Sequence, residues 1–146
     1  MLNPLELIKG GTYVDVRGSL RYINDFKFTD VKRFYLISHN DISIVRAWQA
    51  HKTEHKYFYV VKGAFLLAAV AIDDWQSPSK TLSPSFYTLS DQESLMLSIP
   101  GGYANGLKAL LPDSTIMVFS SHTVEESSLD RWSFDKDLWV DWYHVG

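Results

Sequence analysis

The chain is cut into short apolar runs that recur roughly every ten residues, each closed by a turn signal. Thr12 to Asn24 (TYVDVRGSLRYIN) holds two short alternating pieces about Arg17-Gly18 and predicts a hairpin or a bulged strand. Val31 to Ser38 predicts a strand, with His39-Asn40-Asp41 as its turn, and Ile42 to Ala50 predicts the next. Lys56 to Val61 and Ala64 to Ile72 read as a hairpin about Lys62-Gly63. Asp73 to Pro84 is a polar, proline-containing surface loop. Ser85 to Leu89, Ser94 to Ile99, Leu107 to Leu111 and Thr115 to Ser120 are further strands. Met1 to Gly11 is a lead-in ending in a flexible Gly-Gly turn. After Thr123 the pattern changes to caps, acids and wider spacing, which predicts a short helix and an irregular tail. So many short strands fold as an all-β sandwich or barrel.

No internal repeat or second unit interrupts this pattern, so residues 1–146 are read as one domain. With 46% hydrophobic residues and 5 Trp, 8 Tyr and 8 Phe, the chain can bury a sizeable core. A net charge of -3 without a basic stripe argues against nucleic acid and against an anionic membrane surface. There is no cysteine, which excludes disulfides and thiolate chemistry. The start, MLNPLELIKG, does not read as a signal peptide, and the longest apolar run, Ala64 to Ile72, is too short to span a bilayer. A soluble cytoplasmic protein is expected. Several strands, YFYVV and AFLLAAVAI above all, are apolar on both faces. That calls for a closed barrel with an outer partner sheet or for a dimer interface.

The chemistry concentrates in Arg46 to Gly63, RAWQAHKTEHKYFYVVKG. Two strand-like runs flank a short polar turn. Side chains alternate along a strand, so Gln49 and His51 share a face. If that face is the inside of a barrel, polar groups sit in an apolar cavity, where they are costly unless used or paired. In a straight strand Arg46 faces away from Gln49, so both serve one site only if a bulge intervenes. Lys56 lies on the inward parity. His55 is read as structural or rim-exposed, Trp48 as packed between sheets, and Asp130, Asp135 and Asp137 as a solvated tail.

These residues carry a resemblance. Asp15-Val16-Arg17-Gly18-Ser19-Leu20, Val31 to Tyr35, RAWQAHKTEHK, Ile99 to Gly106 and Phe119 to Phe134 together resemble the cupins of deoxysugar-nucleotide metabolism. Two branches fit: the dTDP-4-dehydrorhamnose 3,5-epimerases and, more closely, the dTDP-4-keto-6-deoxyglucose 3,4-ketoisomerases. The resemblance implies a cupin double-stranded β-helix, a jelly-roll barrel, with a short C-terminal helix. It implies a nucleotide-sugar substrate and a homodimer that exchanges an N-terminal strand. It also implies an epimerase or ketoisomerase that removes a proton beside a ketone without a metal or other cofactor. Gln49 stands where the ketoisomerases have their first histidine, Asn105 where the turn histidine falls, and Phe119 where the epimerases have a catalytic tyrosine.

On this reading His51 is the base, because imidazole titrates near working pH and can take the C3 proton next to a C4 ketone. Gln49 orients substrate or donates to the enolate oxygen, but cannot shuttle protons. The second donor is Tyr35, Tyr103 or water. Arg46, Arg17, Tyr103, Asn105 and Lys56 are the candidate substrate-binding residues, the arginine forks suiting diphosphate oxygens. The places that hold a metal in many cupins read Gln49, His51, Lys56 and Asn105. Those offer one good ligand and a repelling ammonium, so no metal is expected. The rival readings are a cupin that binds a sugar nucleotide without turning it over and a metal-dependent cupin.

Overall fold

The computed structural model describes residues 2–145. The alternating runs form β1 (Glu6–Lys9), β2 (Gly11–Asp15), β3 (Gly18–Tyr22), β4 (Arg33–His39), β5 (Val45–His51) and β6 (Lys56–Lys62). They continue as β7 (Ala64–Ala71), β8 (Ser85–Ser90), β9 (Leu95–Ile99), β10 (Tyr103–Ala109) and β11 (Ser114–Ser120). Helix α1 (Val124–Leu129) and the two-residue β12 (Trp132–Ser133) follow. One five-stranded sheet runs β1-β9-β6-β11-β4, a second runs β12-β5-β10-β7-β8, and β2-β3 form a separate ribbon. All pairings are antiparallel. The architecture is the expected all-β cupin jelly roll with a short C-terminal helix.

The expected β6–β7 hairpin is not formed. Those strands belong to opposite sheets, and Lys62-Gly63 is the corner at which the chain crosses. Gly63 makes this corner with φ +78, and a Cβ there would collide with the Ser114 side chain. The Gly63 N–H donates to Asp91 at 2.8 Å, which pins the crossing. β5 and β6 are likewise in opposite sheets, so the polar turn 52–55 crosses from one sheet to the other rather than closing a hairpin. The lead-in contains a strand that the sequence reading missed: β1 pairs with β9 at Glu6↔Ser98 and Leu7↔Leu97.

Two cores result. Between the sheets lie Phe58, Val60, Phe65, Leu67, Leu97, Leu107, Ile116 and Val118. The second core covers the outer face of β5, β10 and β7 and contains Trp48, Ala50, Leu66, Ala68, Val70 and Trp142. Its cover comes from the chain's own C-terminal segment. Trp48 therefore packs outside the barrel, its ring centroid 5.2 Å from Trp139 and 5.5 Å from Trp142, with Nε1 donating to Leu138 O at 2.7 Å. This accounts for the two apolar faces of β7 and corrects the placement of Trp48 between the sheets; the tail is irregular in backbone, as expected, but packed.

Candidate active site

The two sheets flank a cavity of about 610 Å³ that is also lined by Ser127 of α1 and by Arg131, Ser133 and Phe134 of the segment after it. Its size suits a small-molecule ligand. β5 supplies three of its polar residues. At Gly106 the β10–β5 register slips: Asn105 faces Gln49, while Leu107 faces Arg46. One residue of β10, Gly106, thus lies opposite two of β5, Ala47 and Trp48, which is the bulge needed to bring Arg46 onto the face of Gln49 and His51. Lys56 enters from β6, Tyr35 from β4 and Asn105 from β10, all lining the same space.

His51 is buried, with its side chain 5% exposed. Its Nδ1 lies 2.6 Å from the backbone carbonyl oxygen of Asp130. A carbonyl only accepts, so Nδ1 carries the proton and donates. In the neutral ring Nε2 is then a bare lone pair. Nε2 is buried and has no hydrogen-bond partner among the described residues. Burial first, and then the positive charge of Lys56, hold the His51 pKa below its ordinary value, with Glu54 pulling the other way. The ring is therefore neutral at neutral pH, and its free nitrogen is suited to receive a proton.

Lys56 is 5% exposed and makes no hydrogen bond or ion pair among the described residues. Burial pulls its pKa down to about 8, against the attraction of Glu54. The ammonium is thus retained at neutral pH but held weakly. Tyr35 is pushed up to about 12 by burial and keeps its phenolic proton. Arg33 stacks over the Tyr35 ring at 4.9 Å. Arg46 Nε donates to His39 Nε2 at 3.0 Å, which fixes the guanidinium at the cavity wall. Arg33, Arg46, Lys56 and Arg131 make the lining strongly cationic.

Two expected residues stand apart. Arg17 lies at the tip of the β2–β3 ribbon, its side chain 83% exposed and ion-paired to Asp15. Tyr103 points its hydroxyl away, donating to Asn3 O at 2.8 Å. Neither lines the cavity. Phe119 faces outward and packs at 5.5 Å centroid distance on Phe26 and on Phe28, so it fills no catalytic place. His55 also faces outward, stacked on Tyr57 and bonded to Ser98 at 2.6 Å.

Glu54 and Asp130 were not among the expected site residues. Glu54 has a fully buried side chain that receives hydrogen bonds from Ser120 at 2.5 Å and Ser127 at 2.7 Å, with the Arg33 guanidinium at 3.4 Å. Burial would raise its pKa; the two hydroxyls, Lys56 and His51 outweigh this and hold it below the ordinary value. Asp130 is not a solvated tail residue. Its carboxylate accepts from the backbone N–H groups of Lys52, Thr53 and Glu54 at 2.8, 2.8 and 3.1 Å. Nothing in the sequence marked Glu54, an acid in the polar turn 52–55.

The family model described as FdtA: WxcM-like, C-terminal matches residues 4–136. The chain belongs to this WxcM-like, C-terminal family. No curated protein sequence matches it. Among solved structures, this family member resembles a dTDP-4-dehydrorhamnose 3,5-epimerase from Sulfolobus tokodaii at 26% identity and TM-score 0.75, over 94% of this chain and 80% of that one. It resembles the RmlC epimerase of Mycobacterium tuberculosis at 23% identity and TM-score 0.78, over 97% and 75%. A 3,4-ketoisomerase from Thermoanaerobacterium thermosaccharolyticum, in complex with TDP-4-keto-6-deoxyglucose, aligns at 23% identity and TM-score 0.69, over 90% and 88%. These likenesses show that the WxcM-like chain shares the fold of these epimerases and this ketoisomerase.

Proposed function

We propose that the chain is a metal-independent isomerase of a nucleotide-linked, dTDP-type 4-keto-6-deoxysugar, working as an epimerase or a 3,4-ketoisomerase. The observation that carries this reading is the unpartnered, proton-accepting Nε2 of His51 in a cationic cavity. Nε2 takes the C3 proton, the C3–H pair moves into the ring, and charge develops on the C4 oxygen. The Lys56 ammonium and the Gln49 amide stabilise that oxygen. Reprotonation at C3 from the opposite face, with Tyr35 as donor, gives the epimer. Alternatively O4 is protonated, O3 loses its proton and C4 receives one, which moves the ketone to C3. Arg46 and Asn105 hold the substrate, joined by Arg33 and Arg131 for the diphosphate. The same cations disfavour a divalent metal beside His51, which supports the metal-free reading.

Incubation with dTDP-4-keto-6-deoxyglucose, followed by proton and carbon NMR of the product, tests the proposal and separates the two outcomes. A new stereocentre at C3 means epimerisation, and a carbonyl at C3 means ketoisomerisation. Recovery of unchanged sugar, with no exchange at C3, contradicts both. One observation favours a second reading, a non-catalytic sugar-nucleotide binder: Gln49 occupies the face of His51 and cannot move a proton. Calorimetric binding of the nucleotide sugar without any exchange selects that reading.

The assembly we propose is a homodimer. Strand β4 is a sheet edge carrying exposed Phe34 and Leu36, with exposed Phe28 beside them. The β2–β3 ribbon exposes Tyr13, Val14 and Leu20, and Val16 at its tip is fully exposed. An isolated two-stranded ribbon is marginal in water. A second copy covering these surfaces completes it.

A further inference from the structure

We propose that Glu54 is a positioning residue for His51, and that Glu54 and Asp130 form a reciprocal clamp making the end of α1 part of the proton-transfer apparatus. This rests on His51 being the base of the proposed reaction. The two carboxylates cross between the same two segments in opposite directions. Glu54, from the turn after β5, reaches into α1 and accepts from Ser127. Asp130, the C-cap of α1, reaches into that turn and accepts from three successive backbone N–H groups and the Thr53 hydroxyl. Both converge on one atom. Nδ1 of His51 lies 2.6 Å from the Asp130 carbonyl and 3.3 Å from Glu54 Oε1. The carbonyl sets the tautomer and the carboxylate supplies the charge.

The charge has a chemical use. When Nε2 takes the C3 proton, a bond to hydrogen forms there and the C3–H bond breaks; its electron pair becomes the second C3–C4 bond, and the C4 carbonyl π pair passes to the oxygen. The imidazole becomes a cation inside a buried site that already holds Lys56 from β6, Arg33 from β4 and Arg131 beyond α1. Each of these opposes the new charge. His122, with Nδ1 3.8 Å from Glu54, adds none while neutral. Glu54 is the carboxylate side chain in contact with the ring, and it does not line the cavity. It acts through His51, not on the sugar.

The test is nitrogen NMR of the His51 ring across pH, with kcat and KM for Glu54→Gln and Ser127→Ala. In the wild type the Nδ1–H tautomer dominates when the ring is neutral. In Glu54→Gln the proton affinity of His51 falls about tenfold or more, and kcat falls while KM holds. Glu54→Asp restores part of both. Ser127→Ala removes a neutral donor and keeps the charge, so the midpoint stays at or above the wild-type value. An unchanged His51 midpoint in Glu54→Gln overturns the proposal, as does a fall in Ser127→Ala. Should Glu54→Gln not fold, Ser127→Ala decides by the sign of its change. Should no sugar be turned over, the proposed function fails, while the ring titration still tests the clamp.

Discussion

At the scale of single residues, the proposed reaction divides charge between a base that must be neutral and a lysine that must be charged. His51 is held below its usual pKa by burial and by Lys56, so the neutral base is present above mildly acidic pH. Lys56, lowered to about 8 by burial, loses its ammonium above that pH. Activity is therefore expected to follow a bell. The acid limb lies below the ordinary histidine range, because protonated His51 cannot accept a proton. The alkaline limb lies near 8, because neutral Lys56 no longer stabilises the C4 oxygen. A pH profile of kcat/KM checks both limbs. Lys56→Met removes the alkaline limb and lowers kcat by about 10²–10³-fold, the usual loss for one donor to a developing oxyanion. Much of this was legible in the sequence, since Gln49, His51 and Lys56 fall on inward parity and do face one cavity. Glu54 was not, because an acid in a polar turn reads as solvated. Its burial depends on Ser120 and Ser127, which arrive more than sixty residues later in the chain.

At the scale of elements, strand positions were legible and strand partners were not. The expected runs mark β4, β6 to β9 and β11 within two residues, whereas β5 starts three residues later and β10 four residues earlier than expected. Whether two successive strands pair or part is decided at the corner between them. Gly63 and Asp91 turn what looked like a hairpin into a crossing. The bulge at Gly106 could be stated only as a condition, and the register shows it met. Helix α1 carries a capping box, Thr123 with Glu126, and holds Ser127 and Asp130 in place. Thr123→Ala is expected to cost about 1 kcal/mol and to weaken the hold on the turn 52–55, seen as faster amide exchange at Lys52 and Thr53. The tail beyond β12 is a structural layer. Trp142 is 1% exposed and packs against Gly106, where an added Cβ would meet its ring at 2.7 Å. Trp142→Ala should lower stability by about 3–5 kcal/mol in denaturant unfolding.

At the scale of the whole molecule, one core lies between the two sheets, a second is covered by the chain's own C-terminal segment, and β4 and the β2–β3 ribbon expose further apolar side chains. Among the described residues no helix is long and apolar enough to cross a membrane. If the proposed dimer forms, sedimentation of the wild type gives twice the chain mass, and Phe34→Asp with Leu36→Asp gives the single chain while His51 keeps its titration. The most direct test of the account is deuterium wash-in at C3 of dTDP-4-keto-6-deoxyglucose in heavy water, wild type beside His51→Gln. The account predicts exchange catalysed by the wild type and slowed about 10²–10⁴-fold in the variant. Equal rates in the two proteins, or none above the protein-free blank in the wild type, would contradict it.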